Sequence, residues 1–112
     1  IEAFKYYNSM DMEEYQKTAA ETAIYSSSHA VIYPALGLAA EAGEVANKVK
    51  KILRDGDFDR KAIADEIGDC LWYIAALCRD INVSMNDVAR ANISKLQDRK
   101  KRGVISGSGD NR

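Results

Sequence analysis

The chain is 112 residues long, 46% hydrophobic and 29% charged, with a formal net charge of −1. That balance excludes a disordered polyelectrolyte, and it excludes a global attraction to nucleic acid or to an anionic membrane surface. The length argues for one domain with a modest core, a size that often gains stability by self-association.

A first helix starts at Asp11, where Asp11 and Glu14 have the spacing of a capping box, and is expected to reach Tyr25. The serines at 26 to 28 break the pattern. Pro34 suits the first turn of a second helix that runs to Arg54 and is ended by Gly56. Asp57 or Asp59 caps a third helix reaching Asp80. Ser84 with Asp87 caps a fourth, ending near Arg102. The last ten residues, from Gly103 to Arg112, contain three glycines and two serines and read as a flexible tail. The fold class is therefore all-α: one bundle-like domain over residues 1–102, with helices two and three paired antiparallel across a short loop.

No apolar run reaches the roughly 18 residues of a bilayer span, and no basic-then-apolar leader opens the sequence, so a cytoplasmic location is expected. Cys70 and Cys78, eight apart on one helix, would lie roughly 12 Å from each other, too far for a disulfide. They read as free thiols in a reducing compartment.

The chemistry is carried by acids on helices two and three. On an ideal wheel with Leu38 at zero, Val45, Val49 and Ile52 form an apolar stripe, with Glu41 at about −60° and Glu44 at about −120°. On the next helix, with Ile63 at zero, the stripe is Ile67, Cys70, Ile74, Leu77 and Ile81; Glu66 and Asp69 repeat the offsets of about −60° and −120°. Antiparallel pairing can bring all four acids into one cleft. Converging carboxylates repel and lose hydration, so cations must compensate them. Oxygen-only ligands suit Mg²⁺, with Mn²⁺ as substitute. The plainer reading is solvated acids, with Glu44 and Lys48 as an ordinary i,i+4 pair.

The segments Gly37-Leu-Ala-Ala-Glu41-Ala-Gly-Glu44-Val-Ala-Asn-Lys48 and Asp65-Glu66-Ile-Gly-Asp69-Cys-Leu-Trp-Tyr73 resemble the MazG-like nucleoside triphosphate pyrophosphohydrolases over about Tyr33 to Arg99. The resemblance implies a helical fold, a homodimer or dimer of dimers, and Mg²⁺-dependent cleavage between the α- and β-phosphates to a monophosphate and pyrophosphate. It implies Glu41, Glu44, Glu66 and Asp69 as metal ligands, with Glu41 or Glu44 also handling the attacking water. Many relatives carry a further Glu where this chain has Ala40, so the base and the number of metals stay open. The end of the chain, Asn92-Ile-Ser-Lys95-Leu and then Gly107-Ser-Gly-Asp-Asn-Arg112, looks like short phage and bacterial members. From that follow a deoxynucleotide substrate and, if the chain is phage-encoded, the host cytoplasm as its location.

Lys48 and Tyr73 lie one turn beyond Glu44 and Asp69 on the same side and are candidate substrate contacts, to phosphate and to base or sugar; their plain readings are a surface pair and packing. Asn92 and Lys95 match positions that face the phosphates in some relatives. Trp72 points away from the isoleucine stripe and needs cover, for which a subunit interface is expected ahead of a nucleobase. His29 reads as a loop histidine without a role. Asp55, Asp57, Asp59 and Glu66 trace a calcium-loop outline, but Arg60 stands where its glycine belongs. A non-catalytic helical interaction module, favoured only by Ala40, is the remaining alternative.

Overall fold

The computed structural model describes residues 9–112. Four α-helices form, and no strand occurs among the described residues. They are α1 (Met12–Ala20), α2 (Ile32–Asp55), α3 (Arg60–Asp80) and α4 (Met85–Arg102), with a 3₁₀ turn at Ser27–His29. No helix of the described residues is long and apolar enough to cross a membrane.

The helix ends follow local chemistry. Asp11 accepts the Glu14 N–H at 2.8 Å, Asp59 accepts Ala62 N–H at 3.0 Å, and Ser84 accepts Asn86 N–H at 3.1 Å. Gly56 ends α2 at φ 69°, and Gly103 ends α4 at φ 73°, the left-handed conformation that a glycine adopts without a Cβ penalty.

The first helix stops at Ala20, five residues short of the expected end at Tyr25. Residues 21–23 tighten into i→i−3 hydrogen bonds, Glu21 to Thr18, Thr22 to Ala19 and Ala23 to Ala20. Thr22 bonds its hydroxyl back to Ala19 O at 2.7 Å, and Tyr25 is held elsewhere by α3. The second helix begins two residues before Pro34, which still lies in the first turn, where its missing N–H costs nothing.

Helices α2 and α3 pair as an antiparallel hairpin across four loop residues, and α1 packs on α3 and on the start of α4. The core lies on the second of those contacts: Ala75, Cys78 and Met85 are buried, with Tyr15, Ala19, Leu71 and Ile74 against them. This corrects the wheel reading of α3. The helix faces α2 with Glu66, Asp69 and Tyr73, and faces α1 and α4 with Leu71, Ala75 and Cys78. Of the isoleucine stripe, Ile74 borders the core, whereas Ile67 and Ile81 fall between the two faces and are 55% and 53% exposed in the single chain. Small residues sit at the core because they let helix backbones approach closely.

The Gln16 side chain fixes the turn into α4. Its amide donates to Val83 O and accepts the Met85 N–H, both at 2.9 Å. Beyond that turn α4 projects from the bundle. The radius of gyration is 16.8 Å, against about 13 Å for a compact domain of this length. Residues 103–112 turn back along α4, where the Arg112 guanidinium bonds the carbonyls of Val104, Ile105 and Gly109.

Candidate metal centre

Side-chain oxygens of Glu41, Glu66 and Asp69 all lie within 4.8 Å of one another. Glu41 comes from the middle of α2, and Glu66 and Asp69 from one face of α3, three residues apart. The spacing i,i+3 stacks the α3 acids on one side of the helix. The antiparallel pairing then sets Glu41 opposite them. Among the described residues no other group of three such side chains converges in this way.

The electrostatics are those of an uncompensated cluster. Burial pushes the Glu41 carboxyl above the usual range, and a hydrogen bond with Glu66 and the charges of Asp69, Glu66 and Glu44 push it the same way. Lys48 is the nearby cation, its Nζ 3.9 Å from Glu66 Oε1. One half-buried ammonium at that distance leaves most of the negative charge unmatched. Oxygen-only donors this close together fit a hard divalent ion. Asp69 also raises the Tyr15 phenol, after burial, so α1 borders the cluster.

Glu44 is exposed and is not brought into the group of three, although its charge reaches Glu41. Lys48 pairs with Glu66 instead of Glu44. Asn92 is exposed on α4, and Lys95 is engaged by Asp110 at 3.1 Å. The calcium-loop reading is overturned: residues 60–66 are helical, Asp59 is spent on capping, and Glu66 joins Glu41 and Asp69 rather than the loop aspartates.

An open pocket of about 300 Å³ adjoins the acids, lined by Glu41, Asp69, Trp72 and Tyr73. Its aromatic wall extends further: Trp72 meets Tyr73 edge-on at 5.0 Å, Tyr73 meets Tyr33 at 6.2 Å, and Tyr33 stacks on Tyr25 at 4.8 Å. Tyr73 lies so close over α2 that a Cβ on Gly37 would overlap its ring. The phenol of Tyr73 is raised by burial, then by Tyr33, Glu41 and Asp69.

Within the single chain Trp72 is half-buried. Its indole N–H donates to Thr22 Oγ1 at 2.7 Å, because α1 ends early and carries Thr22 over it.

The far end of α3 holds Asp80, which no sequence signal singled out. Its buried carboxylate accepts the Val31 N–H at 2.9 Å and the Tyr25 hydroxyl at 2.7 Å, and Arg79 adds an ion pair at 3.2 Å. Burial pushes this carboxyl up, but the three donors outweigh it and hold Asp80 below the ordinary range. Val31 starts α2 at φ 70°, ψ −54°, with Ile32 N–H bonded to Ala30 O at 2.8 Å. That is a γ-turn, strained for a β-branched residue. Asp80 thus replaces the missing cap of α2 and positions the aromatic wall.

A helical hairpin with converging carboxylates beside an aromatic pocket places the protein among all-α folds that present an acidic site across paired helices. The profile of the MazG nucleotide pyrophosphohydrolase domain matches residues 32–104, which contain α2, α3 and α4. The chain belongs to the MazG nucleotide pyrophosphohydrolase family. The "Gene 37 protein" of Mycobacterium phage L5 is similar to it, 46% identical over 114 residues that cover 92% of this chain and 100% of that protein. No solved structure matches the chain.

Proposed function

We propose that this protein hydrolyses nucleoside triphosphates, deoxynucleotides foremost, to the monophosphate and pyrophosphate. The observation that carries the reading is the group of three carboxylates, Glu41, Glu66 and Asp69, converging within 4.8 Å beside an aromatic-lined pocket. Three acids held together against their own repulsion fit Mg²⁺, with Mn²⁺ as substitute, and Glu44 lies one turn away as a further ligand or base. Bound there, the ion would neutralise phosphate charge and acidify water.

The chain's own residues supply the rest. Glu41, Glu66 and Asp69 would hold the ion between α2 and α3, and its positive charge would hold the phosphates against these otherwise repelling acids. Glu44, outside the three-acid group and one turn from Glu41, takes the proton of the attacking water. The water oxygen forms a bond to the α-phosphorus, the bond from that phosphorus to the bridging oxygen breaks, and pyrophosphate leaves with the electron pair. Lys48 offsets charge on the phosphate chain. Tyr73 and Trp72 present ring faces and edges to base or sugar. Asn92 and Lys95 are assigned to the phosphates as well.

A homodimer or dimer of dimers accounts for the exposed Ile67 and Ile81 of α3 and for the exposed Val88, Ile93 and Leu96 of α4. Light scattering at micromolar concentration checks this assembly; a monomer there removes it.

The decisive assay measures pyrophosphate release from a panel of ordinary and modified triphosphates with Mg²⁺ present. Release that needs the metal and fails in Asp69→Asn supports the reading. No turnover across the panel leaves the non-catalytic helical module.

A further inference from the structure

Nothing in the local sequence ends α1 at Ala20. No glycine or proline stands between Met12 and Tyr33, and Ala19, Ala20 and Glu21 are good helix formers. A contact from elsewhere in the fold therefore sets this end, and Thr22 makes one. Its hydroxyl donates to Ala19 O and accepts the Trp72 indole N–H, each at 2.7 Å. The protons are placed without ambiguity, because a carbonyl only accepts and an indole N–H only donates. Three residues on, the Tyr25 hydroxyl is bound to Asp80 at 2.7 Å. The connection from α1 to α2 is thus pinned to α3 at two points, and that fixes the place of Thr22.

Trp72 lines the pocket beside Glu41 and Asp69 and meets Tyr73 edge-on at 5.0 Å, the planes at 85°. Such a wall keeps its shape only while both rings keep their rotamers. Tyr73 is confined by its close approach to Gly37. Trp72 is confined by the bond to Thr22. That bond also uses the only polar atom of the indole, so Trp72 offers the pocket ring surface and no hydrogen bond.

We propose that Thr22 is a positioning residue for the nucleobase: it holds Trp72 in the rotamer that completes the wall, and the base is bound at Trp72 by ring contact alone, so that the brace serves purines and pyrimidines equally. The role of the wall rests on the reading of the chain as a triphosphate hydrolase; the brace rests on the hydrogen bonds. An indole released from Thr22 spends part of its time in other rotamers, and affinity falls by the fraction lost. One net hydrogen bond moves such an equilibrium about fivefold. Thr22 touches none of the three converging acids, so the chemical step is spared.

The test is steady-state pyrophosphate release with Mg²⁺ from a purine and a pyrimidine deoxynucleoside triphosphate. Thr22→Val keeps the shape and removes the hydroxyl. It should raise KM about fivefold for both substrates and leave kcat unchanged. Thr22→Ser restores the acceptor and should restore KM. Ser28→Ala removes a hydroxyl that meets Ser26 in the same connection, and should leave KM as it is. An unchanged KM in Thr22→Val overturns the proposal. So does a rise for one base alone, a fall in kcat of the same size, or an equal rise in Ser28→Ala. Should the valine variant fold poorly, Thr22→Ala carries the same expectations.

Trp72 is the only tryptophan, so its fluorescence gives a readout that needs no turnover. Time-resolved anisotropy without substrate should show a faster indole in Thr22→Val than in the unaltered chain or Thr22→Ser, and equal motion in all three overturns the brace. A chain that turns over no triphosphate defeats the hydrolase reading while this measurement still stands. Quenching of Trp72 by a deoxynucleoside in EDTA then judges the base seat. Affinity about fivefold weaker in Thr22→Val supports it, and equal affinity or absent quenching overturns it.

Discussion

Helix α3 carries two acidic centres three turns apart, and they are opposites. At one end Glu66 and Asp69 meet Glu41 with a single lysine in reach. At the other, Asp80 accepts a backbone N–H, a tyrosine hydroxyl and an arginine. The pKa directions divide accordingly. Glu41 is pushed up, by burial first and then by its acidic neighbours. Asp80 is held down because its donors overcome burial. An acid whose donors are all inside the chain builds structure. Acids that lack them are available to something from outside.

The contrast breaks most visibly in activity. Asp69→Asn or Glu66→Gln should lower metal-dependent pyrophosphate release by at least roughly a hundredfold, beyond the loss expected from a residue that only supports a ligand. Circular dichroism should show unchanged helix content. Near-normal turnover in both variants would remove the metal assignment. Asp80→Asn should do the reverse, costing about 2–3 kcal/mol in a urea melt, because it weakens a buried, hydrogen-bonded charge and the cap on α2. A melt like that of the unaltered chain would show that the cluster around Asp80 is ornamental.

Gly37→Ala comes next. The added methyl overlaps the Tyr73 ring, and overpacking of this kind costs about 1–3 kcal/mol. The same change should perturb the pocket beside the acids, so nucleotide affinity is measured with it. An unchanged melting temperature would mean that the ring moves aside freely.

The smallest effect carries a sign. A folded-state pKa above the unfolded one gives stability that is fully present below the unfolded pKa and is lost as pH rises through the folded value. Glu41 thus destabilises the metal-free protein at neutral pH. Glu41→Gln should raise its Tm by roughly 2–4 °C, about 0.5 kcal/mol for a partly solvated cluster of like charges. The gain should disappear in acid, below the ordinary carboxylate range. Mg²⁺ should stabilise the unaltered chain and not the variant. A Glu41→Gln protein that melts lower at pH 7.5 without metal would contradict the repulsion.

The helices and their caps were legible because capping is local: Asp11, Asp59, Ser84 and Gly56 act on atoms within three or four residues. The meeting of Glu41 with Glu66 and Asp69 was also legible, since a short loop forces antiparallel pairing and fixes which faces oppose. What the wheel could not show was that α3 has two packing faces, with Ile67 and Ile81 between them. One stripe was expected to be the core; Ala75, Cys78 and Met85 form it, and of that stripe Ile74 packs against them. Asp80 was equally hidden. Two of its three partners are 49 and 55 residues away, and the third, the adjacent Arg79, gives it the look of an ordinary surface pair. The Thr22 hydroxyl as partner of the Trp72 indole was hidden as well, because it depends on where α1 ends and on a contact 50 residues away.

The γ-turn at Val31 has a practical consequence. A branched side chain there holds a backbone that glycine would adopt at little cost, so the natural residue is not the sturdiest choice at its own position. Val31→Gly keeps the N–H that Asp80 accepts and removes the clash of the Cβ, while it adds freedom to the unfolded chain, so a Tm above that of the unaltered protein would show that the strain released at this turn outweighs the added entropy.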